Sequence, residues 1–330
     1  MRADPPSQIT SQSLATKFIT PSGHCGKLTF DKPYYRITFS AMASQCECLI
    51  ESTCDGDDSA EIKRLAMAAI DEVKRIESKY NRFDVNSQLS IINAQAGKWQ
   101  QIDEETTALM DFAAQCYQLS QGRFDVTAGS LMALWKFELD GASIPNAIDI
   151  GNAIKRVGFD RIQICDGRLL LPQEMMLDFG GLAKEYAADR AALVLTAAQT
   201  EQTSTAPWQS KACLINLGGD LVVTSAPAQP WQVGIEDPTA LNRTADKITI
   251  SSGAIATSGH SRRFIEDKGE RFGHIIDPTT GMPVLHAPLS VTVCAPQCIS
   301  AGMLATMAML QGKDAEQFLS EQGLVYKVIR

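Results

Sequence analysis

Apolar and polar side chains alternate through Tyr35-Arg36-Ile37-Thr38-Phe39, which places every second residue on one face and predicts a strand leading to Met42-Ala43-Ser44. Cys48-Leu49-Ile50 continues it. The period then lengthens: Asp58-Ser59-Ala60-Glu61 has the form of a capping box, and Ile62, Leu65, Ala66, Ala69, Ile70, Val73 and Ile76 follow at helical spacing. That helix delivers Tyr80, Asn81, Arg82 and Phe83 into a loop, after which residues 87–93 restart a helical turn. A second helix begins near Asp103, sets Leu109, Phe112, Ala113, Cys116 and Leu119 on one face, and stops at Gly122. Leu169-Leu170-Leu171 and Met175-Met176-Leu177 read as a strand pair about Pro172-Gln173-Glu174. The second run passes through Asp178-Phe179-Gly180-Gly181 into a helix carrying Ala187, Ala191, Leu193 and Leu195.

Beyond residue 210 strands dominate: 213–215, 221–224, 231–235, 247–251 and 289–295, with Asn216-Leu217-Gly218-Gly219-Asp220 and Glu236-Asp237-Pro238 as turns between them. Helical spacing returns at about 299–311 and 314–321. Strands grouped together, with helices at their margins and no regular βαβ alternation, predict an α+β fold: one large domain of mixed or antiparallel sheets with flanking helices. No repeat or low-complexity linker divides residues 29–330. Residues 1–28 are polar, proline-bearing and aperiodic, and read as an N-terminal extension whose order the pattern does not fix.

The 330 residues carry 30 basic and 38 acidic side chains, a net charge of -8, which offers no electrostatic footprint for nucleic acid or an anionic membrane. No run of about 18 apolar residues predicts a transmembrane segment, and the first residues lack the apolar core of a signal peptide. As given, the chain is expected in the cytoplasm; removal of a leader would make it periplasmic. Nine cysteines, several inside apolar runs, fit reduced buried thiols better than a disulfide framework, and Cys46, Cys48 and Cys54 lack a second pair at zinc spacing.

Two segments concentrate candidate chemistry. Asp178-Phe179-Gly180-Gly181-Leu182-Ala183-Lys184 sets free backbone N–H groups and a positive helix end beside a carboxylate, a place for phosphates or a metal-bound diphosphate. It is neither a P-loop nor a GxGxxG fingerprint. Between Ile255 and Thr306 an imidazole, a carboxylate, hydroxyls and turn residues fall among apolar strands, the mixture a loop needs to hold a polar ligand.

Taken together, Gly122, Phe124, Asp125 and Thr127 with Trp135; Asp178, Gly180, Gly181, Ala183 and Lys184; Asn216 to Asp220; Ala256-Thr257-Ser258-Gly259; and His274-Ile275-Ile276-Asp277-Pro278 with Thr280, Gly281 and Pro283 form an ordered set. The set resembles the ApbE family of FAD:protein FMN transferases over roughly residues 35–325. The resemblance implies FAD as substrate, Mg2+ as the metal, and transfer of FMN to a threonine hydroxyl of an acceptor protein. Carried over by position, it implies that Met42 and Tyr80 pack on flavin or adenine rings, and that Arg123, Phe124 and Asp125 line the same pocket. Asp178 and Lys184 would hold ribose or phosphate, Ile276 would contact FAD, and the Gly181 carbonyl and Thr306 hydroxyl would be metal ligands. His274 or Asp277 is the expected base for the acceptor hydroxyl. Tyr80 is expected in contact with ligand, and Trp135 in packing.

The chain departs from the family pattern in three places. The closing motif is typically Ala-Asp-x-x-x-Thr, with acid and threonine one helical turn apart; here it reads Ala301-Gly302-Met303-Leu304-Ala305-Thr306. Lys184 is followed by Glu185 where glycine is usual, and Met42-Ala43-Ser44 stands for Met-Gly-Thr. Three accounts stay open: a transferase in which Asp277, Glu185 or the FAD phosphates supply the missing charge; a protein that binds FAD without processing it; and a relative whose pocket survives as core packing.

Overall fold

In a computed structural model of the chain, residues 15–52, 58–137, 143–200, 211–240, 242–260, 263–267 and 270–330 are described. Nine strands form one sheet: β1 (Thr16–Ile19), β2 (Cys25–Asp31), β3 (Tyr34–Ala41), β4 (Ser44–Glu51), β5 (Cys213–Leu217), β6 (Asp220–Val223), β7 (Gly253–Gly259), β8 (Ser290–Ala295) and β9 (Val325–Ile329). Their spatial order is their chain order, and every neighbouring pair is antiparallel. The fold is thus α+β, a meander whose longest excursion, residues 52–212, leaves after β4 and returns at β5.

The central strands are buried on both faces, with successive residues packing into different clusters. Ile37 and Phe39 of β3, Cys213 and Ile215 of β5, Ala254 and Ala256 of β7, and Val291 and Val293 of β8 join the main core. That core is closed by three helices, α1 (Ser59–Tyr80), α2 (Ala183–Thr200) and α3 (Cys298–Leu310). Helix α1 packs on β3 and α2, α2 on β5 and β6, and α3 on β7 and β8. The intervening residues Leu214, Leu221, Val223 and Ile255 face the other way and are covered by a hairpin of Trp231–Glu236 and Thr244–Ile250. A third cluster gathers Leu131, Trp135, Ile150, Ile265 and Ile276. There the Trp135 indole is buried and Nε1 donates to the Gly281 carbonyl oxygen at 3.1 Å, a packing role.

Several expectations are corrected. The described part of the 1–28 segment is not an irregular extension, since β1 and β2 pair at the sheet edge and bury Phe18 and Leu28. Met175–Leu177 does not pair with Leu169–Leu171. Arg168–Leu170 pairs instead with Trp99–Gln101 and Gln163–Cys165, and Met176 bridges Ala128. The Asp58 side chain does not cap α1; its carboxylate takes the buried Lys211 ammonium at 2.5 Å. Cys54 lies outside the described residues. The other eight cysteines are free, and burial pushes the Cys46 thiol up to about 11 and those of Cys116 and Cys213 to about 12, so all three are inert.

Candidate active site

Two tight hairpin turns floor the site. Met42 and Ala43 both take left-handed conformations, φ 52° and 54°, so that β3 turns into β4 in two residues, and the Met42 N–H is fixed by Glu77 Oε1 of α1 at 2.5 Å. Gly218 and Gly219 do the same between β5 and β6, at φ 66° and 107°. A β-carbon on Gly218 would lie 2.7 Å from Ser44 Cβ, so this glycine is required by contact between the two hairpins as well as by its φ. Antiparallel register brings both turns and the Thr257–Gly259 end of β7 to one end of the sheet. A cleft of about 1270 Å³ opens there, bounded also by the segment before α2 and by the loop at 274–278.

Most of the residues expected from sequence line this cleft: Met42, Tyr80, Arg123, Phe124, Asp125, Asp178, Gly181, Lys184, His274, Ile276 and Thr306. Their polar atoms are largely engaged. The Tyr80 hydroxyl shares a hydrogen bond with Thr106 Oγ1 at 3.1 Å and its ring lies 5.3 Å from that of Phe179, so what it offers a ligand is a ring edge or face. Asp178 pairs through Oδ2 with Arg82 Nε at 3.0 Å and accepts the Gly180 N–H at Oδ1 at 2.7 Å. Arg123 Nη1 donates to the Leu310 carbonyl at 3.2 Å and to Gln311 Oε1 at 3.0 Å, satisfying the end of α3. Phe124 is buried, its N–H fixed by Ser120 Oγ. Asp125 accepts from the Thr127 N–H and Oγ1 at 2.7 and 2.6 Å and from the Phe159 N–H at 3.0 Å, and burial raises its carboxyl above the usual range despite those donors. It organises a loop more than it reaches for a ligand.

His274 and Asp277 separate. Asp277 is not among the lining residues, and its Oδ1 accepts from the Thr279 N–H at 2.8 Å and from Thr279 Oγ1 at 2.6 Å, holding its own turn. His274 lines the cleft with Nδ1 3.3 Å from the Arg263 carbonyl oxygen. A carbonyl only accepts, so Nδ1 carries the proton and Nε2 the lone pair. Burial, with the positive charge of Arg263, lowers the imidazole to about 4, so it is neutral at pH 7.

The charged centre lies at the start of α2. Lys184 Nζ is 2.6 Å from Asp220 Oδ2, and Asp220 is 1% exposed. Burial alone would depress the ammonium, but attraction to Asp220 and Glu185 outweighs it and holds Lys184 above its ordinary value. Glu185 is 7% exposed, and its Oε2 has no hydrogen-bond partner. Burial, then repulsion from Asp220, lifts this carboxyl to about 8. Ser258 Oγ and Thr306 Oγ1 also line the cleft and share a hydrogen bond of 2.7 Å. No group of three His, Cys, Asp or Glu side chains converges among the described residues, so a cation here would draw on carbonyl and hydroxyl oxygens as well as on a carboxylate. Such an all-oxygen donor set, beside a buried carboxylate oxygen lacking a partner, fits a hard ion such as Mg2+.

Arg82, Asp220 and Ser258 are site residues that sequence reasoning did not assign, and Glu185 was named there only as one of three possible sources of the missing charge. Arg82 carried a signal in its place directly after the first helix, and Asp220 and Ser258 in their motifs.

The sequence profile described as the ApbE family matches residues 35–328. The FAD:protein FMN transferase of Klebsiella pneumoniae is 28% identical over 305 residues, 84% of this chain and 83% of the relative. That of Treponema pallidum is 32% identical over 252 residues, 70% of this chain and 66% of the relative. The crystal structure of the ApbE protein of Thermotoga maritima superposes with a TM-score of 0.79 at 28% identity, covering 89% of this chain and 94% of that one.

Proposed function

Because the chain belongs to the ApbE family, we propose that it is an FAD:protein FMN transferase, moving FMN from FAD to a threonine hydroxyl of an acceptor protein. The observation that carries this reading is the arrival, in one cleft, of a neutral His274, the Lys184 ammonium, the Thr306 hydroxyl and the aromatic ring of Tyr80 from four separate elements. Relatives of similar length bear this activity in their names.

The chemistry is a phosphoryl substitution. The acceptor oxygen attacks the flavin-side phosphorus of FAD, the bond from that phosphorus to the bridging oxygen breaks, and AMP leaves with the electron pair. His274 Nε2 takes the hydroxyl proton; an imidazole held near 4 is a weak base, but wholly in the accepting form at neutral pH. Lys184 and the N–H groups opening α2 face the diphosphate. Tyr80 and Met42 pack on a ring of the dinucleotide, and Ile276 adds apolar contact. Mg2+, when bound with the Gly181 carbonyl and the Thr306 hydroxyl, supplies neutralisation of charge on the departing phosphate. The acidic chain has no helix, among the described residues, long and apolar enough to cross a membrane.

Glycine at 302 favours one other reading, FAD binding without transfer. The two are separated by adding pure protein, FAD and Mg2+ to a lysate and looking for flavin fluorescence that stays on a protein band through denaturing electrophoresis. A labelled band, lost with His274→Ala, is the expected result; no band with the unaltered chain contradicts transfer.

A further inference from the structure

Gly302 and Glu185 face each other across the packed pair α2 and α3. A β-carbon placed on Gly302 would lie 2.9 Å from Glu185 Oε1 and 3.0 Å from Cδ, with Cγ closer still. The space a side chain at 302 would enter is therefore filled by the Glu185 carboxylate, one helical turn from Thr306 on α3. Two departures from the family pattern, glutamate for glycine after Lys184 and glycine for aspartate before Thr306, meet at one point in space.

We propose that Glu185 is the carboxylate ligand of the divalent-cation site, delivered from α2 in place of one from α3. This deepens the transferase reading and rests on it for the identity of the cation. The carboxylate is buried, lines the cleft together with Thr306 and Gly181, and keeps one oxygen without any hydrogen-bond partner. A buried acceptor left unmatched is destabilising, more so when charged, and a bound cation removes that penalty. Lys184 does not remove it, since its ammonium is placed on Asp220. Of the other carboxylates, Asp277 is occupied by Thr279 outside the cleft, and Asp220, whose Oδ2 also lacks a hydrogen-bond partner, already has the Lys184 ammonium against that oxygen at 2.6 Å as its counter-charge.

The test uses Mn2+ as probe, titrated into the full-length protein and followed by electron paramagnetic resonance, flavin-free and with FAD. Circular dichroism reports folding of every variant. Glu185→Gln, nearly isosteric, is expected to weaken Mn2+ binding at least tenfold while remaining folded. The double variant Glu185→Gly/Gly302→Asp, which moves the carboxylate back to α3, is expected to recover affinity to within a few-fold of the unaltered chain. Glu185→Gln binding Mn2+ as tightly as the unaltered chain, or a folded double variant no better than Glu185→Gln, overturns the assignment. Mn2+ bound through Glu185 by a protein that releases no AMP from FAD sustains the ligand assignment while removing the transferase reading.

Discussion

Lys184 Nζ and Asp220 Oδ2 stand 2.6 Å apart, with Asp220 almost wholly excluded from water. The pair joins the start of α2 to the start of β6, so it ties the Asp178–Lys184 segment to the sheet. Removing the ammonium leaves a buried carboxylate without its counter-charge, beside a second buried carboxylate at Glu185. Lys184→Met is expected to lower stability by about 3 kcal/mol and to weaken FAD binding. Urea denaturation and a fluorescence titration with FAD check the two effects separately.

The turn at Met42-Ala43 holds two non-glycine residues in left-handed conformation. An L-residue there costs roughly 1–2 kcal/mol that glycine does not. Ala43→Gly is expected to stabilise the protein by about 1 kcal/mol, less the added freedom of the unfolded chain. A rise in the urea midpoint at unchanged slope is the result to look for; a fall would mean the turn is not strained by its side chain.

His260 is 8% exposed and its imidazole is held down to about 4, by burial first and then by His274 and Arg271. In the unfolded chain the same group titrates near 6.5. Between these values the unfolded state binds the proton first. Stability is therefore full above about pH 6.5 and falls as pH drops toward 4, by about 3 kcal/mol from this group. Denaturation at pH 7.5 and at pH 4.5 measures the loss, and His260→Gln should remove this group's share while leaving that of His274, which is also held down to about 4.

Much of the chain was legible where packing imposes a period. The helix at 59–80 and the strands of 213–223 declare themselves because a face of each must be apolar. The edge strands β1 and β9, and β2 beside β1, were not legible, since each leaves most of its side chains exposed or half-buried. Strand order was hidden as well, because β4 finds β5 across residues 52–212 and no local signal reports that partner. The same limit applied to the site. Motifs brought His274, Lys184 and Tyr80 to notice, yet the contact of Glu185 with Gly302, and the capping of α3 by Asp189 through the Cys298 and Ile299 N–H groups at 2.8 and 2.9 Å, are made only when α2 and α3 pack together.

The most direct test of the transferase reading is release of AMP from FAD by the pure protein with Mg2+, followed by chromatography with and without a threonine-bearing acceptor. AMP that appears only with Mg2+, rises with acceptor and falls at least a hundredfold with His274→Ala is the predicted result. FAD bound tightly, with no AMP under any of these conditions, would contradict it.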